Sequence, residues 1–502
     1  MRQPSCLAAA LAALSVGCND RPAKADLAGS AAPSANLVSG SRAADTAAAY
    51  CFEFLEQRDE REASAGGNPT DPHHVVAAWE LDGGSGQSVV MTAVSRDGGR
   101  TWGARQTPIR GRCGKVSARG VARIGQPSVA IGPDGRVYLG AVPEYWDRPG
   151  HHSGLEVATS PDGGTSWNGA VVVAASEDEA RSYSRPAVAA DPGRAGTAYL
   201  VGAESRHGGF KTFRATPGLA LDVAESAGRV VFSATTDGGG TWSAPRPISP
   251  ERPGRWVASP RIVTDPRGGA LHLFYFERDP VHDGNAIELI SSVDQGRSWT
   301  EPTIVSQLAP YRSAVRVEGT NATIEIAADM VAPGIDVRAG TLYVSYVAGR
   351  AGAGTAAQVW LRSSIDGGKT WTGAIRVNGD TAATAGAPSL AVGPDGTVSV
   401  SYLDVADSAT RSYAVLPASI RRRTFRPDGN ALAAGPDALL DQFNLAATLG
   451  AGSRIGNTSA ELPIGDGFRT VYTRSNCEPY SIVCLGSPDS GFKPDRMSVH
   501  AK

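Results

Sequence analysis

One octapeptide recurs five times in this chain of 502 residues, and no other feature restricts the fold as strongly. The copies occupy residues 95–102, 160–167, 235–242, 292–299 and 364–371. Each copy has Ser or Thr first, Asp third, Gly fifth, Ser or Thr seventh and Trp eighth. Recurrence of this kind indicates repeated structural units that pack on one another rather than a set of unrelated domains.

The octapeptide is suited to a turn between two β-strands. Its Asp carboxylate can accept hydrogen bonds from backbone N–H groups, and its Gly can adopt a positive φ. Its Trp offers a large flat surface that can pack between neighbouring sheets. We therefore expect structural rather than catalytic roles for Asp97, Trp102, Asp162, Trp167, Asp237, Trp242, Asp294, Trp299, Asp366 and Trp371.

A hairpin pattern also recurs, most clearly at residues 127–142 and 388–404, where two alternating apolar segments flank a Gly-Pro-Asp-Gly turn. Alternation with a period of two, bounded by such turns, is typical of β-hairpins. The second strand of this hairpin is found at residues 75–81, 137–142, 198–204, 270–277, 341–347, 397–404 and 468–474. The pattern predicts an all-β fold, a β-propeller of seven four-stranded blades.

The seventh unit lacks room for a fourth strand before the C-terminus, and residues 50–55 could supply it. We therefore expect N- and C-terminal strands to share one blade, which would remove exposed sheet edges. In this arrangement Cys51 could form a disulfide with Cys484. Cys477 with Cys484 is the alternative pair, and Cys113 is the remaining cysteine of an even set of four.

The octapeptide matches the Asp-box, and the chain resembles the sialidase-like, BNR-repeat superfamily of β-propellers over about residues 60–475. Sialidases have six blades, so the resemblance keeps six as the alternative to seven. It also implies an arginine two residues before the proline of the first strand in a blade. Gly125, Ser184, Ala258 and Gly386 occupy that position here, so a true exo-sialidase is kept only as an alternative.

Charged residues and tyrosines follow the second strands, at the end of the blades opposite the Asp-boxes. Two carboxylates at suitable separation can hydrolyse a glycosidic bond, and Glu144, Glu277 and Asp404 are the catalytic candidates. Arg185, Arg261, Tyr145 and Glu204 are the ligand-binding candidates. We expect binding or hydrolysis of glycans by a glycoside hydrolase of sialidase-like type, with a non-catalytic protein-binding scaffold as the alternative.

The charge balance limits the partners. The chain has 48 basic and 50 acidic residues and a formal net charge of -2, which does not favour nucleic acid. We expect a monomer whose partner is a glycan or a cell-surface protein. The sequence predicts no metal site and no cofactor, and it does not decide whether calcium is bound.

The N-terminus indicates export. Residues 1–18 read as a signal peptide whose apolar core is too short to span a bilayer permanently, and Gly17-Cys18 resembles a lipobox, which makes Cys18 the lipidation candidate. Residues 19–48 are expected to form a flexible linker, 49–490 a single propeller domain and 491–502 a polar tail. The expected location is the periplasm, the outer membrane as a lipoprotein, or the extracellular space, with membrane contact only through the lipid.

Overall fold

The structure is a computed structural model that describes part of the chain. The described residues are 36–37, 59–82, 88–109, 122–146, 151–176, 180–206, 227–279, 284–308, 314–316, 323–326, 329–349, 356–405, 416–429, 431–445, 454–455, 458–465, 467–476 and 497–502. All of them belong to one unit, Ser34–Lys502. The predicted signal peptide, Cys18, residues 50–55 and the four disulfide candidates lie outside the described residues.

The described residues form strands and turns but no helix, which confirms the all-β prediction. Consistent with this, no helix that could span a membrane is found in this part of the chain. The strands are β1 (Asn36–Leu37), β2 (Asp59–Asn68), β3 (Asp71–Asp82), β4 (Ser88–Ser95), β5 (Ala122–Ile131), β6 (Val137–Trp146), β7 (His151–Ser160), β8 (Val171–Ala175), β9 (Arg181–Ala190), β10 (Ala198–Arg206), β11 (Ala227–Thr235), β12 (Arg246–Pro247), β13 (Trp256–Thr264), β14 (Leu271–Arg278), β15 (Ala286–Ser292), β16 (Thr303–Gln307), β17 (Ala314–Arg316), β18 (Thr323–Ile326), β19 (Val331–Ile335), β20 (Leu342–Ala348), β21 (Gln358–Ser364), β22 (Ile375–Arg376), β23 (Thr384–Val392), β24 (Val398–Val405), β25 (Pro417–Asp428), β26 (Ala431–Asn444), β27 (Arg454–Ile455), β28 (Ser459–Ile464), β29 (Gly467–Ser475) and β30 (Met497–Ala501).

Most strands form antiparallel sheets in which sequential strands are neighbours, and we name these sheets S1 to S7. S1 contains β2–β4 and S2 contains β5–β8, and a single parallel pair, Ser88 with Arg123, joins them into one seven-stranded sheet. S3 contains β9–β12, S4 β13–β16, S5 β19–β22 and S6 β23–β26. S7 has the order β1-β30-β29-β28, and β17, β18 and β27 form a separate small sheet.

Apolar side chains of successive sheets share their core clusters. In one cluster Val76 of S1 packs with Leu139 of S2, and in another Tyr199 of S3 packs with Leu273 of S4. Further clusters join S2 to S3, S4 to S5, S5 to S6 and S6 to S7. One cluster joins S7 to S1, because Val499 packs with Trp79. Each sheet thus has two buried faces, which explains its nearly continuous apolar strands.

The C-terminal residues correct one prediction. The segment 491–502, expected to be a polar tail, contains β30, whose residues Val499 and Ala501 are buried in the cluster between S7 and S1. The final strand of S7 is β1, because Asn36 pairs with Ala501 and Leu37 pairs with His500. This strand lies in the segment 19–48 that was expected to be only a linker. Strands of two and five residues carry too little periodicity to stand out in the sequence.

Each Asp-box forms the same hydrogen-bonded turn. In the first, Asp97 Oδ1 accepts from the Thr101 backbone N–H at 2.8 Å and Oδ2 accepts from the Thr101 hydroxyl at 2.6 Å. The Gly99 backbone N–H donates to Ser95 Oγ at 2.8 Å. The same bonds recur around Asp162, Asp237, Asp294 and Asp366. Bonds to the ionised carboxylate lower the pKa of Asp162 to about 2, and the Ser166 hydroxyl contributes most.

The glycine at the fifth position of each box rests on a neighbouring sheet. It is the second glycine of the box except in S4, where Gln295 stands in place of the first. Gly368 of S5 has a φ of 89°, and an added Cβ would overlap the buried Leu289 of S4. Gly296 of S4 lies in the same way against the Phe232 ring of S3. The box Trp packs there too, since Trp299 lies edge-on to Phe232 with 5.4 Å between ring centroids. The box therefore joins neighbouring sheets as well as neighbouring strands.

We expect Gly368→Ala to destabilise the protein more than Gly367→Ala, because the two glycines separate backbone strain from steric overlap. Both have positive φ, but no atom lies within 4 Å of a Cβ added to Gly367. Strain alone should cost about 1 kcal/mol, and overlap with Leu289 should add about 1–3 kcal/mol. Thermal or urea unfolding of the two variants measures the difference. Equal losses would show that contact with S4 contributes nothing.

Candidate functional site

A β-bulge occurs near the start of the first strand in five sheets. The first residue of each bulge is not glycine and yet has a positive φ, between 46° and 55°. These residues are Glu62, Gln126, Arg185, Ser259 and Ala387. The register shifts that mark the bulges lie opposite the Asp-boxes; we call these two ends of the sheets the bulge end and the box end. Strained non-glycine residues and bulges are concentrated at functional sites, where they redirect side chains.

In S1, S2 and S6 the residue after the bulge is a serine that links the first strand to the first strand of the next sheet. Ser64 Oγ accepts from the Val129 N–H at 3.3 Å, and Ser128 Oγ accepts from the Val188 N–H at 3.0 Å. In S4 this position is occupied by Arg261, which pairs with Phe274 as Ser128 pairs with Gly140. A long cationic side chain therefore replaces a short linking hydroxyl at one of the equivalent positions.

Arg185 and Arg261 form an arginine pair at the bulge end. Their strands, β9 and β13, are neighbours, and the two positive charges repel one another. Arg261 keeps some solvent exposure, yet burial, with Arg185 next in effect, lowers its pKa to about 10. Within the described residues no ion pair neutralises either guanidinium. Gln126 holds Arg185 in place, because its side-chain Oε1 accepts from the Arg185 backbone N–H at 2.6 Å.

Glu62 adds a carboxylate to the arginine pair. Its charge acts on Arg261 of S4 and also on Glu80 and Arg123 at the junction of S1 and S2. No hydrogen bond or ion pair to the Glu62 carboxylate occurs in the described part of the chain. Asp329, just before β19, also acts on Arg261. Side chains from four sheets thus lie within electrostatic range of one another.

Behind Glu62 lies the buried carboxylate of Glu80. Its Oε1 accepts from Arg123 Nε at 3.0 Å and from Arg123 Nη2 at 2.8 Å. Its Oε2 has no hydrogen-bond partner and lies against Gly125, where a Cβ would overlap it. Burial, followed by repulsion from Glu62, raises the pKa of Glu80 to about 7 against the opposing effect of Arg123. Of the predicted catalytic carboxylates, Glu144 is close to this group, with its Oε2 4.0 Å from Arg123 Nη1.

The structure does not bring Glu204 and Glu277 to the arginine pair. Glu277 is 3% exposed and is bound by Arg252 and by Arg255, whose Nη1 is 2.6 Å from Oε1. Glu204 is bound by Arg181 and Arg229 at 3.1 Å each. Both carboxylates are committed to ion pairs, and neither has the free oxygen that a catalytic acid or base requires.

Asp404 lies apart from both groups, between S5 and S6. It is 9% exposed, and its Oδ1 has no hydrogen-bond partner. Burial raises its pKa to about 7, with repulsion from Asp380 and Asp437 opposed by Arg421. Tyr145 pairs with Ala122 and His152 through its strand, but its side chain lies outside the described residues.

The candidates predicted from the sequence do not include Glu62, Glu80, Arg123 or Gln126. The family pattern has its arginine two residues before the proline, whereas the bulge gives the positive φ to the residue directly before the proline. The register of the bulge cannot be read from a period-two pattern, which assumes continuous alternation. The sequence does contain one indication of the site. Arg261 follows Pro260, whereas a serine, Ser128 or Ser389, follows the corresponding proline in S2 and S6.

No group of three or more residues suited to hold a metal ion is found within the described ranges. At the bulge end, the charged groups without an ion-pair partner among the described residues are the guanidinium groups of the arginine pair and the carboxylate of Glu62. Such a set can bind an anionic group beside hydroxyls and can transfer protons.

Comparisons with known proteins match part of the chain. Residues 224–402 match a family model described as a BNR repeat-like domain, and no curated protein matches. Among solved structures, a Hadza microbial sialidase is 17% identical with a TM-score of 0.41, over 68% of this chain and 63% of that chain. The leech intramolecular trans-sialidase is 13% identical with a TM-score of 0.41, over 90% and 69%. The NanB sialidase of Streptococcus pneumoniae is 9% identical with a TM-score of 0.44, over 89% and 93%.

We expect Asp404→Asn to stabilise the protein at pH 8 and to have little effect at pH 4. The folded pKa of about 7 lies above the ordinary value of 3.8, so the contribution of the protonated group is present at low pH and lost as pH rises through 7. The melting temperature of the variant should exceed that of the wild type by a few °C at pH 8 only. Asp428→Asn, an exposed change in the same sheet, is the control. An equal shift at both pH values would contradict the prediction.

Proposed function

We propose that this chain, whose predicted resemblance to the sialidase-like BNR superfamily is confirmed by the match over residues 224–402, binds or hydrolyses glycans at its bulge end. The observation that carries the proposal is the arginine pair, Arg185 with Arg261, which lacks an ion-pair partner in the described residues and lies within electrostatic range of Glu62. Paired guanidinium groups bind a carboxylate or sulfate strongly because both charge and hydrogen-bond geometry are matched.

In this proposal the arginine pair binds an acidic group of the glycan and Glu62 contacts its hydroxyls or glycosidic oxygen. If the glycan is cleaved, Glu62 and Glu144 serve as the acid and the base or nucleophile. Hydrolysis needs one protonated carboxyl to donate to the leaving oxygen and one carboxylate on the other side of the bond. Arg123 is attracted electrostatically by both carboxylates. Glu80 and Gln126 are positioning residues for Arg123 and Arg185.

The architecture proposed is a β-propeller in which S1 to S7 are the seven blades. Three features support this architecture: the series of antiparallel sheets, the core clusters that successive sheets share, and the cluster between S7 and S1. A ring would place the five bulges around a central channel, and this would explain how Glu62 of S1 acts on Arg261 of S4. The pairing of β1 with β30 would close the ring with strands from both termini.

We also propose that the protein is exported and acts at the cell surface as a monomer, with Cys18 as a lipid anchor. The apolar segment at residues 7–16, followed by Gly17-Cys18, supports this. An oxidising compartment would allow disulfides among Cys51, Cys113, Cys477 and Cys484. A non-reducing peptide map would identify the pairs.

The function is tested with a panel of fluorogenic glycosides, including a sialoside, and with a glycan array. We expect Arg261→Ala to weaken binding or cleavage of acidic glycans at least about tenfold, because a desolvated cation is lost. Glu62→Gln should reduce cleavage more than binding. Arg297→Ala, an exposed arginine in an Asp-box at the other end, is the matched control and should behave as wild type.

Two outcomes would refute the proposal. Absence of both glycan binding and cleavage would favour the protein-binding scaffold. Equal activity of Arg261→Ala and wild type would place the site elsewhere. Cleavage of the sialoside alone would narrow the function to the exo-sialidase alternative.

A further inference from the structure

A cleft lies at the box end between S5 and S6, far along the strands from the bulges. Its volume is about 650 Å³, within the range of small-ligand sites. One wall is the Asp-box of S5, with Ile365 and Trp371, and the opposite wall is the tip of the β25–β26 hairpin, with Arg426 and Leu432. The floor contains Arg338 of S5.

The cleft exists because S6 departs from the repeat. It has no Asp-box, and its last two strands are long: β26 has 14 residues, whereas the last strand of S5, β22, has two. The hairpin continues to the pair Asp428 with Ala431. A wall therefore stands beside the box of S5, where a box in S6 would have formed a short turn.

Some charged side chains that line the cleft are hydrogen-bonded within the protein, and others are not. Asp336 Oδ1 accepts from the Arg338 backbone N–H at 2.9 Å, and Asp395 is bound by the backbone and hydroxyl of Thr397 at 2.9 and 2.7 Å. Both carboxylates therefore stabilise the turns in which they lie. In contrast, the Arg426 side chain is exposed, and its guanidinium has no hydrogen bond or ion pair in the part of the chain described. Arg338 is 55% exposed at its side chain, and its bonds to Asp336 are long, at 3.4 Å.

The apolar surface is also available to a ligand. Ile365 is 73% exposed at the rim, and the partly buried Trp371 faces the cleft while its Nε1 donates to the Gly368 carbonyl. An aromatic and an aliphatic surface beside the unpaired guanidinium of Arg426 suit a ligand with an apolar face and an acidic group.

The turn backbones offer little to a peptide. The N–H groups of Asp336, Gly340, Gly393 and Gly396 all donate within their own turns. The polar groups that line the cleft are instead side chains, namely the guanidinium groups of Arg338 and Arg426 and threonine hydroxyls, of which that of Thr372 also binds Ser363 and that of Thr397 also binds Asp395. A saccharide is recognised in this way, by its hydroxyls and its C–H faces, without backbone pairing. We propose that this cleft is a second binding site, specific for an acidic oligosaccharide, and separate from the site at the bulge end.

The experiment is isothermal titration of the full chain with two pairs of probes. These are trigalacturonate with its methyl ester, and a sulfated chondroitin tetrasaccharide with its desulfated form. Each pair differs only in its acidic groups. We expect at least one acidic probe to bind and its less acidic counterpart, the methyl ester or the desulfated form, to bind much more weakly. Arg426→Ala should weaken binding of the acidic probe at least about tenfold.

The titrations are made in the Arg261→Ala background, which removes the arginine pair at the bulge end from the measurement. In that background Arg297→Ala controls for a lost surface charge at the box end and should not change binding of the acidic probe. Ile365→Ser should weaken binding through loss of apolar contact, and Arg426→Ala should weaken it at least about tenfold. Failure of both acidic probes to bind in the Arg261→Ala background, or undiminished binding when Arg426→Ala is added to it, would each overturn the inference.

Discussion

The contact between an Asp-box and the sheet before it is the interaction on which the rest of the structure depends. The box carboxylate satisfies the backbone N–H groups of its own turn, so the turn can be set against a neighbour without unpaired donors. The absence of a Cβ at the fifth-position glycine lets the backbone approach that neighbour closely. The box Trp then fills the space between the sheets. One short motif thereby fixes both the turn and the spacing of the sheets.

Because the Asp-boxes stabilise one end of the sheets, the side chains at the other end can differ from sheet to sheet. The box end is tied down by repeated hydrogen bonds, whereas the bulge end varies from sheet to sheet, with Glu, Gln, Arg, Ser and Ala at the strained position. A fixed backbone with variable side chains is how a repeated scaffold can acquire a specific site. S6 departs from the repeat at its box end, where it has no Asp-box and where a cleft lies beside the box of S5.

The sequence predicted the hairpins and the Asp-box turns because their signals are local. A strand lies at each of the seven predicted second-strand segments, for example β6 at residues 137–142 and β24 at residues 397–404. The site was harder to predict, since it depends on which residues meet across sheets. Glu204 and Glu277 follow their strands as Glu144 does, yet each is held by two arginines that no spacing rule identifies. Glu62 was missed because a bulge changes the register by one residue.

The pairing of β1 with β30 has a consequence for biosynthesis. Sheets S1 to S6 are each made of contiguous chain and can assemble as synthesis proceeds, whereas S7 needs residue 36 and residue 501 in contact. Contacts between residues so far apart in the sequence form late and slowly. S7 is therefore incomplete until residue 501 has been synthesised, and until then the face of S1 that packs on Val499 remains uncovered.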